Sequence, residues 1–257
     1  MWRKFVSAII ATLALSLAPH LFAIDEVKPL FTVNVPMTRY GINWQITQTR
    51  LLVKNIGYVK ELTLVYDIDG KEKRASATYY GPADNGYEIW EAYSNIPQGT
   101  ASYRIDYKVE GQSFVDDNEG TLYPLIEGPL FYANQNVSQI LSGREFYYDY
   151  AGFTAAVRSD LGSSKNVTLH YTFDDFKTVK ELRMNFQIQY LYGYGLIDSP
   201  SHNTEIFHAS LGNIPDSVAL IQYYLSYEVD GKTYYDNNFG NNYSMPRAKT
   251  SKVETAR

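Results

Sequence analysis

Short runs of alternating hydrophobic and polar residues recur along the chain, with turn residues between them. Side chains on a strand point alternately to two faces, so this alternation is typical of half-buried β-strands. No run longer than a few residues has the hydrophobic period of a helix with capping residues at its ends. The pattern predicts an all-β protein.

The clearest of these patterns is a tyrosine-rich hairpin over residues 223–243. Asp230-Gly231 fits a two-residue turn because both residues tolerate the positive φ that such turns require. Pairing outward from the turn gives the expected register: Tyr227 opposite Tyr234, Ser226 opposite Tyr235 and Tyr224 opposite Asn237. The apolar face of the first strand is expected to lie in the core, and it comprises Tyr223, Leu225, Tyr227 and Val229.

The other face of the hairpin carries the most informative chemistry. Tyr224 and Tyr235 are expected to be diagonal neighbours there. They lie beside an amide-rich loop that contains Asn237, Asn238, Asn241 and Asn242. Exposed rings stack on the apolar C–H face of a pyranose, and amides donate to and accept from its hydroxyl groups. The alternative is a tyrosine-rich edge strand followed by a solvated loop.

Two parts of the chain resemble each other in the order and approximate spacing of short motifs. Residues 62–67, 95–97 and 107–111 correspond to residues 167–172, 213–215 and 227–231. We interpret this as a tandem duplication in which each copy is an immunoglobulin-like antiparallel β-sandwich. The expected organisation is a signal peptide over 1–23, a first sandwich over 24–128, a second over 129–246 and a disordered tail over 247–257.

Several aromatic residues lie outside the hairpin. The second copy has an insertion from Gln187 to Asn203 that contains Tyr190, Tyr192 and Tyr194. This insertion is equally consistent with an exposed aromatic loop and with a longer hairpin. Trp44 and Trp90 are expected to be core residues rather than ligand contacts.

Composition narrows the classes of function. The chain has 257 residues, 24 of them tyrosine, a formal net charge of −5 and no cysteine. The absence of a basic stripe argues against a nucleic-acid partner, and nothing resembles a polybasic membrane-binding cluster. Without cysteine the chain has neither a disulfide framework nor a thiol nucleophile. The composition does not argue against a neutral ligand.

The first residues resemble a secretory signal. Basic Arg3 and Lys4 precede an apolar run over residues 5–17, and the small residue Ala23 marks a plausible cleavage site. A retained anchor is disfavoured because the apolar run is short for a bilayer. The expected location is secreted or periplasmic, with no membrane contact after cleavage.

Three segments of the chain resemble the family 21 carbohydrate-binding modules: residues 53–58, residues 227–238 and Asn242-Tyr243. These modules are the starch- and glycogen-binding domains of fungal glucoamylases and of glycogen-targeting subunits of protein phosphatase 1. The resemblance covers both copies, each with part of the pattern, and is most specific at the end of the second. It implies immunoglobulin-like folds that hold α-glucan through two aromatic sites.

Carried over residue by residue, the resemblance implies that the second copy keeps the main site. It implies that Tyr224 and Tyr235 are the stacking rings and that Asn237 and Asn242 are the polar partners. Phe176 stands where the family has a tryptophan, so this ring offers less area and no indole N–H.

The first copy has Arg104 and Val115 at the two tyrosine positions and a shortened loop at residues 69–71, which implies that its main site is lost. Tyr58 and Tyr79 of this copy resemble the family's second site, whereas the second copy has Ser163 at the position of Tyr58. We hypothesise that the second copy supplies the main site and the first copy supplies the second site. A long glucan would then touch both copies.

The sequence contains only weak signals of a catalytic or metal-binding site. The acid pairs Asp67/Asp69, Asp116/Asp117 and Asp174/Asp175 are near neighbours in sequence, whereas glycoside hydrolysis needs an acid and a base that face each other across a bond. His170, His202 and His208 lack the spacing of metal ligands, and His170 is expected to be a satisfied or surface histidine. No cofactor and no metal is expected.

The sequence therefore predicts secreted, non-catalytic binding of α-glucans (starch, glycogen and maltooligosaccharides) by aromatic stacking and asparagine hydrogen bonds. A separate amylolytic enzyme is left open as a partner. The alternative is a structural or protein-partner-binding β-sandwich without sugar affinity, because fold does not fix function. An enzyme of unknown type is a third interpretation.

Overall fold

The structure is a computed structural model that describes residues 26–132, 135–193 and 195–248. These residues form four antiparallel sheets and a 3₁₀ turn at Asp84–Gly86, and no α-helix occurs among them. The all-β prediction is confirmed. The predicted signal peptide, Tyr194 of the insertion and residues 249–257 lie outside the described residues.

The first half of the chain, residues 26–132, forms most of two stacked sheets. Outer sheet 1 has the spatial order β4 (Lys71–Ser76), β3 (Lys60–Ile68), β7 (Ser102–Val109) and β8 (Gln112–Asp116), with β9 (Tyr123–Pro124) beside β7. Inner sheet 1 has the order β16 (Gln189–Tyr192), β17 (Gly195–Asp198), β1 (Val27–Arg39), β2 (Ile42–Lys54), β6 (Tyr87–Pro97) and β5 (Thr78–Ala83), with β10 (Gly128–Phe131) beside β1. The core between them includes Leu51, Leu64, Tyr103 and Tyr107.

The second half, residues 135–248, forms another stacked pair. Inner sheet 2 has the order β11 (Val137–Gln139), β12 (Ala151–Arg158), β18 (Thr204–Leu211) and β15 (Asn185–Gln187). Outer sheet 2 has the order β14 (Lys180–Arg183), β13 (Lys165–Thr172), β19 (Leu220–Val229) and β20 (Lys232–Asp236), with β21 (Tyr243–Pro246) beside β19. Their core includes Phe153, Leu169, Tyr223 and Tyr227.

The two pairs of sheets have equivalent strand orders. In outer sheet 1 the order β4-β3-β7-β8 with β9 beside β7 matches β14-β13-β19-β20 with β21 beside β19 in outer sheet 2. In the inner sheets β1-β2-β6-β5 matches β11-β12-β18-β15. Residues 62–67 on β3 and residues 167–172 on β13 therefore occupy equivalent strands, whereas residues 95–97 lie in β6 and residues 213–215 follow the end of β18.

The two inner sheets also pack against each other. A β-bulge between Pro29 and Phe31 changes which face of β1 its side chains occupy, so Val27 lies in the core of the first half while Phe31 points to the opposite side. Phe31 and the next alternate residues of β1 share a third core with Ala156 and Ile206 of inner sheet 2. The molecule therefore has four sheet layers with three cores between them.

The insertion of the second half is a hairpin that extends the first half's inner sheet. Strands β16 and β17 pair with each other, and Gly195 of β17 pairs with Met37 of β1. A Cβ on Gly195 would lie 2.5 Å from both the Met37 sulfur and the Pro36 carbonyl oxygen, so only glycine permits this approach. Of the two alternatives for the insertion, the longer hairpin is correct.

A buried arginine connects the two halves. Arg50 of β2 is 1% exposed, forms an ion pair of 3.2 Å with Glu91 and donates a 2.9 Å hydrogen bond to the Tyr243 hydroxyl. Burial alone would lower the pKa of Arg50, but Tyr243 and Glu91 outweigh burial and raise it. At the junction of the halves, Gly128 pairs with Asn34 as part of inner sheet 1.

Candidate functional site

The hairpin β19–β20 has the predicted register. Its turn residues Asp230 and Gly231 have φ of 47° and 78°, as a two-residue turn requires. The ladder pairs Tyr227 with Tyr234 and Ser226 with Tyr235, and the four predicted core residues of β19 are each no more than 2% exposed. Strand β20 ends at Asp236, so the expected pairing of Tyr224 with Asn237 is not part of the ladder.

Four rings form an aromatic strip on the outer face of outer sheet 2: His170 of β13, Tyr224 of β19, Tyr235 of β20 and Phe176 of the loop after β13. Tyr224 is central, with ring-centroid distances of 4.5 Å to His170, 6.4 Å to Tyr235 and 6.2 Å to Phe176. Tyr235 is 63% exposed. The structure thus brings the three predicted rings Phe176, Tyr224 and Tyr235 together on one surface.

His170 belongs to this strip, although sequence reasoning did not assign it there. Its ring lies parallel to Tyr224 within 5° because the two residues are direct partners between β13 and β19. Nε2 lies 2.7 Å from the Ser226 hydroxyl, and Nδ1 lies 3.3 Å from the Glu181 carboxylate. Partial burial lowers the pKa of His170, while Glu181 opposes this shift. The alternation of β13 was the available signal, since it points His170 away from the core.

Phe176 is held by a network around Asp174. The Phe176 backbone N–H donates to the Thr172 hydroxyl at 3.2 Å, and the Thr172 hydroxyl donates to Asp174 at 2.7 Å. Hydrogen bonds from Thr178 and Thr172 lower the pKa of Asp174 to about 2. This carboxylate therefore stays ionised and shapes the loop that presents Phe176.

The asparagine-rich loop is built partly by its own amides. The Asn237 side-chain oxygen accepts from the Gly240 N–H at 3.0 Å, and Asn238 Nδ2 donates to the Asn242 carbonyl at 3.1 Å. Asn241 Nδ2 donates to the Pro82 carbonyl of β5 at 2.9 Å. Within the described residues, Asn237 Nδ2 and the whole Asn242 side-chain amide make no hydrogen bond.

The first half contains a loop of the same geometry. Gly120 N–H donates to Asp117 at 2.9 Å, and Asn118 Nδ2 donates to the Leu122 carbonyl at 3.1 Å, as their counterparts do in the second half. The Tyr123 hydroxyl donates to Asp116 at 2.8 Å, as Tyr243 does to Asp236. Much of the asparagine loop is therefore a shared structural element, and Asn242, which stands where the first half has Leu122, is the distinctive residue.

An ion-pair network occupies the first half where the second half has the aromatic strip. Arg104 and Val115 lie on β7 and β8 at positions equivalent to Tyr224 and Tyr235, as the sequence comparison predicted. Arg104 pairs with Glu72 at 2.6 Å and with Asp106 at 3.0 Å. No ring is available for stacking at these two positions.

Tyr58 and Tyr79 are both surface residues of the first half. Tyr58 is 94% exposed, and its backbone N–H donates to Glu110 at 2.7 Å. Tyr79 is 53% exposed and stands edge-on to the partly buried Trp90, with 6.0 Å between ring centroids. Among the described residues, no ring contact joins Tyr58 to Tyr79.

A cleft between the two halves adjoins the strip. It has a volume of about 510 Å³, and its walls include Tyr235 and Asn237 of the second half and Lys28, Leu52 and Asp84 of the first half. A ligand that stacks on Tyr235 and extends in this direction would therefore contact both halves.

Two further features bear on function: groups of side chains that could hold a metal ion, and helices that could cross a membrane. The described part of the chain contains no group of three or more histidine, aspartate or glutamate side chains placed to hold a metal ion. Within residues 26–132, 135–193 and 195–248 there is no helix long and apolar enough to cross a membrane.

Comparison with known proteins places the strip within a matched segment. Residues 154–246 match the family model for the carbohydrate/starch-binding module (family 21), and this range contains all four rings and the asparagine loop. Residues 26–153 lie outside the match. The second half of this chain is therefore similar to a carbohydrate-binding module.

Each relative described below aligns with less than half of this chain. Glucoamylase 1 of Rhizopus oryzae is 27% identical over 99 residues, which are 36% of this chain and 16% of that enzyme. The solved starch-binding domain of Rhizopus oryzae glucoamylase, in complex with β-cyclodextrin and maltoheptaose, is 24% identical with a TM-score of 0.29 and covers 37% of this chain and 92% of that one. The carbohydrate-binding module of the muscle glycogen-targeting subunit of Protein Phosphatase-1 is 17% identical with a TM-score of 0.35 and covers 46% of this chain and 79% of that one.

Proposed function

We propose that this protein binds α-glucans through the aromatic strip of its second half. The observation that carries the proposal is the group of Phe176, Tyr224 and Tyr235 on an outer sheet face, with Tyr235 63% exposed. Flat rings stack on the apolar face of a glucose unit, and the amides of Asn237 and Asn242 hydrogen-bond its hydroxyl groups. The match of residues 154–246 to a carbohydrate/starch-binding module supports this assignment.

The proposed organisation is two tandem, immunoglobulin-like family 21 modules over residues 24–128 and 129–246. Equivalent strand orders and equivalent tyrosine–aspartate loops support the duplication. The first module has an ion-pair network instead of a main site and contributes through Tyr58 and Tyr79. A long glucan that reaches both modules gains avidity because its second contact is intramolecular.

We further propose that the protein is secreted or periplasmic after removal of residues 1–23 and that its role is binding rather than catalysis. The basic and apolar pattern of these residues supports export. A separate amylolytic enzyme that shares the glucan is the proposed functional partner. Starch, glycogen and maltooligosaccharides are the proposed ligand class.

Co-sedimentation with insoluble starch tests the proposal. The full chain is expected to sediment with starch without release of reducing sugar. Tyr235→Ala should weaken binding by about 1 to 3 kcal/mol, by analogy with base stacking on aromatic side chains. Tyr40→Ala is the matched control, because Tyr40 is 88% exposed and lies outside the strip.

Each outcome of these experiments distinguishes between interpretations of the protein's function. A chain that neither sediments nor releases sugar would favour the structural or partner-binding alternative, and release of sugar would indicate an enzyme. Unchanged affinity in a well-folded Tyr235→Ala variant would exclude the strip as the binding site. Loss of starch retention with intact maltooligosaccharide affinity in Tyr58→Ala/Tyr79→Ala would support the contribution of the first module.

A further inference from the structure

A second aromatic pocket lies away from the strip, where the inserted hairpin β16–β17 covers inner sheet 2. Its volume is about 410 Å³, and its walls include the rings of Tyr147, Tyr150, Tyr190 and Tyr192. Tyr147 and Tyr150 precede the segment 154–246 that matches the carbohydrate-binding module, and Tyr190 and Tyr192 belong to the insertion. We call this site the tyrosine pocket.

One wall of the tyrosine pocket is opened by Gly152 of β12. A Cβ placed on Gly152 would lie 3.7 Å from the Tyr150 hydroxyl, 3.8 Å from His208 Nε2 and 3.4 Å from His208 Cε1. The phenol and the imidazole therefore lie around the space that the missing side chain leaves free. A small polar group of a ligand in this space would reach both.

The hydrogen bonds behind His208 fix which of its nitrogens accepts. The Thr154 hydroxyl donates to the Tyr190 hydroxyl at 2.8 Å, so at 3.1 Å from His208 Nδ1 it can only accept a hydrogen. Nδ1 therefore carries the hydrogen and Nε2 is left with a free lone pair. Burial lowers the pKa of His208, which favours this neutral form. The pocket thus offers an acceptor, His208 Nε2, next to a donor, the Tyr150 hydroxyl.

The outer walls of the tyrosine pocket are held in place by packing. Phe146 is 1% exposed, and the Tyr150 N–H closes a tight turn on the Tyr147 carbonyl at 3.1 Å. Arg247 lies over the Phe146 ring, with its Cζ 4.6 Å from the ring centroid, and donates to the Tyr148 carbonyl. The Ala248 N–H donates to the Phe146 carbonyl at 2.8 Å, so the ordered chain reaches into the predicted tail. The backbone that carries Tyr147 and Tyr150 is therefore held in place before a ligand arrives, which lowers the entropic cost of binding.

We propose that the tyrosine pocket binds one pyranose unit of a neutral sugar, at a site independent of the aromatic strip. Tyrosine rings match the C–H face of a pyranose, and a hydroxyl group that both donates and accepts matches the donor and acceptor beside Gly152. Among the described residues that line the pocket, only Glu145 carries a full charge, and it is exposed. This lining disfavours phosphate-bearing or other ionic ligands. The volume lies within the range of small-molecule sites.

The test uses the full chain with Tyr224→Ala and Tyr235→Ala, so that binding to the strip is removed. Saturation-transfer NMR and titration are performed with methyl α-D-glucopyranoside, methyl α-D-galactopyranoside, methyl α-D-mannopyranoside, N-acetylglucosamine and maltose. Gly152→Ala and Tyr150→Phe are then added separately. The methyl group that Gly152→Ala introduces meets its neighbours at ordinary contact distances, so this variant is expected to fold. Gly212→Ala is the matched control, because a Cβ there has nothing within 4 Å.

At least one sugar is expected to bind the strip-deficient chain. Gly152→Ala should weaken that binding about 5- to 150-fold, which corresponds to two ordinary hydrogen bonds, and Gly212→Ala should not change it. No binding by any of the sugars, or binding that Gly152→Ala leaves unchanged, would overturn the proposal. Failure of the wild-type chain to sediment with starch would contradict only the strip.

Discussion

The phenylalanine substitutions Tyr243→Phe and Tyr123→Phe form a matched pair that measures the connection between the two halves. Both hydroxyls donate to a buried aspartate, Asp236 or Asp116, at 2.8 Å within loops of the same geometry. Only the Tyr243 hydroxyl also accepts a hydrogen bond from Arg50 of the other half, at 2.9 Å. The difference between the two variants therefore isolates the Arg50 bond.

The expected magnitudes follow from the number of bonds to charged groups. Such a bond contributes about 1.5 to 3 kcal/mol, so Tyr123→Phe should lower the free energy of unfolding by that amount. Tyr243→Phe loses a bond to Asp236 and one to Arg50, for about 3 to 6 kcal/mol in total. The lower part of this range is expected, because each charged group retains another partner. Asp236 still accepts a hydrogen bond from the Gln139 N–H at 2.6 Å, and Arg50 still forms its ion pair with Glu91 at 3.2 Å.

Urea unfolding of the full chain at pH 7, monitored by tyrosine fluorescence, measures both variants. If the slope of free energy against urea is unchanged, the shift in midpoint reports stability. Amide exchange at Gln139, whose N–H donates to Asp236, gives a local readout. Equal midpoint shifts in Tyr243→Phe and Tyr123→Phe would refute the reasoning, because the Arg50 bond would then contribute nothing.

Three further outcomes are expected. Tyr227→Ala should lower the free energy of unfolding by about 3 to 5 kcal/mol, because Tyr227 is 0% exposed and its loss opens a core cavity; a stable variant in urea unfolding would contradict this. Arg104→Ala should change stability by at most about 1 kcal/mol and leave starch sedimentation unchanged, because its ion pairs are solvent-accessible. His170→Gln should reduce the loss of stability between pH 7 and pH 5. The reason is that burial lowers the pKa of His170 in the folded chain. As pH falls, the unfolded chain therefore binds a proton at this histidine at a higher pH than the folded chain does, and stability falls. Urea midpoints at both pH values check this, and identical pH dependence in wild type and variant would contradict it.

The features that the sequence predicted are those with local causes. The Asp230-Gly231 turn sets the register of β19 and β20, and strict alternation then separates Tyr223 from Tyr224. The pairing of Tyr224 and Tyr235 on one face follows from these two facts alone. Trp90 is partly buried against the core for the same local reason.

The features that the sequence missed depend on pairings between distant segments. His170 joins the strip only because β13 pairs with β19 in one particular register, and nothing within β13 specifies that register. Burial of Arg50 depends on Tyr243, which is 193 residues away in the chain. Likewise, a side chain at Gly195 is excluded by Met37 of a strand in the other half.

The asparagine loop is a different case, because its signal was present in the sequence. Residues 116–123 of the first half repeat the pattern of residues 236–243 although the first half lacks the strip residues. A pattern kept where the rings are absent indicates a structural role, and the hydrogen bonds of Asn118 and Asn238 bear this out. The comparison of copies, rather than composition, separates Asn242 from the amides that build the loop.

The shared core between the inner sheets changes how two contacts on one glucan would reinforce each other. Two modules joined by a flexible linker sample many separations, and the linker then sets the effective concentration. Here Gly195 pairs with Met37, and Phe31 packs with Ile206, so the halves hold one another at a defined spacing. In the proposed function, the distance from Tyr58 or Tyr79 to Tyr235 is therefore a fixed span that a glucan must match. Avidity should then rise abruptly at the chain length that bridges this span, rather than gradually as it would with a flexible linker.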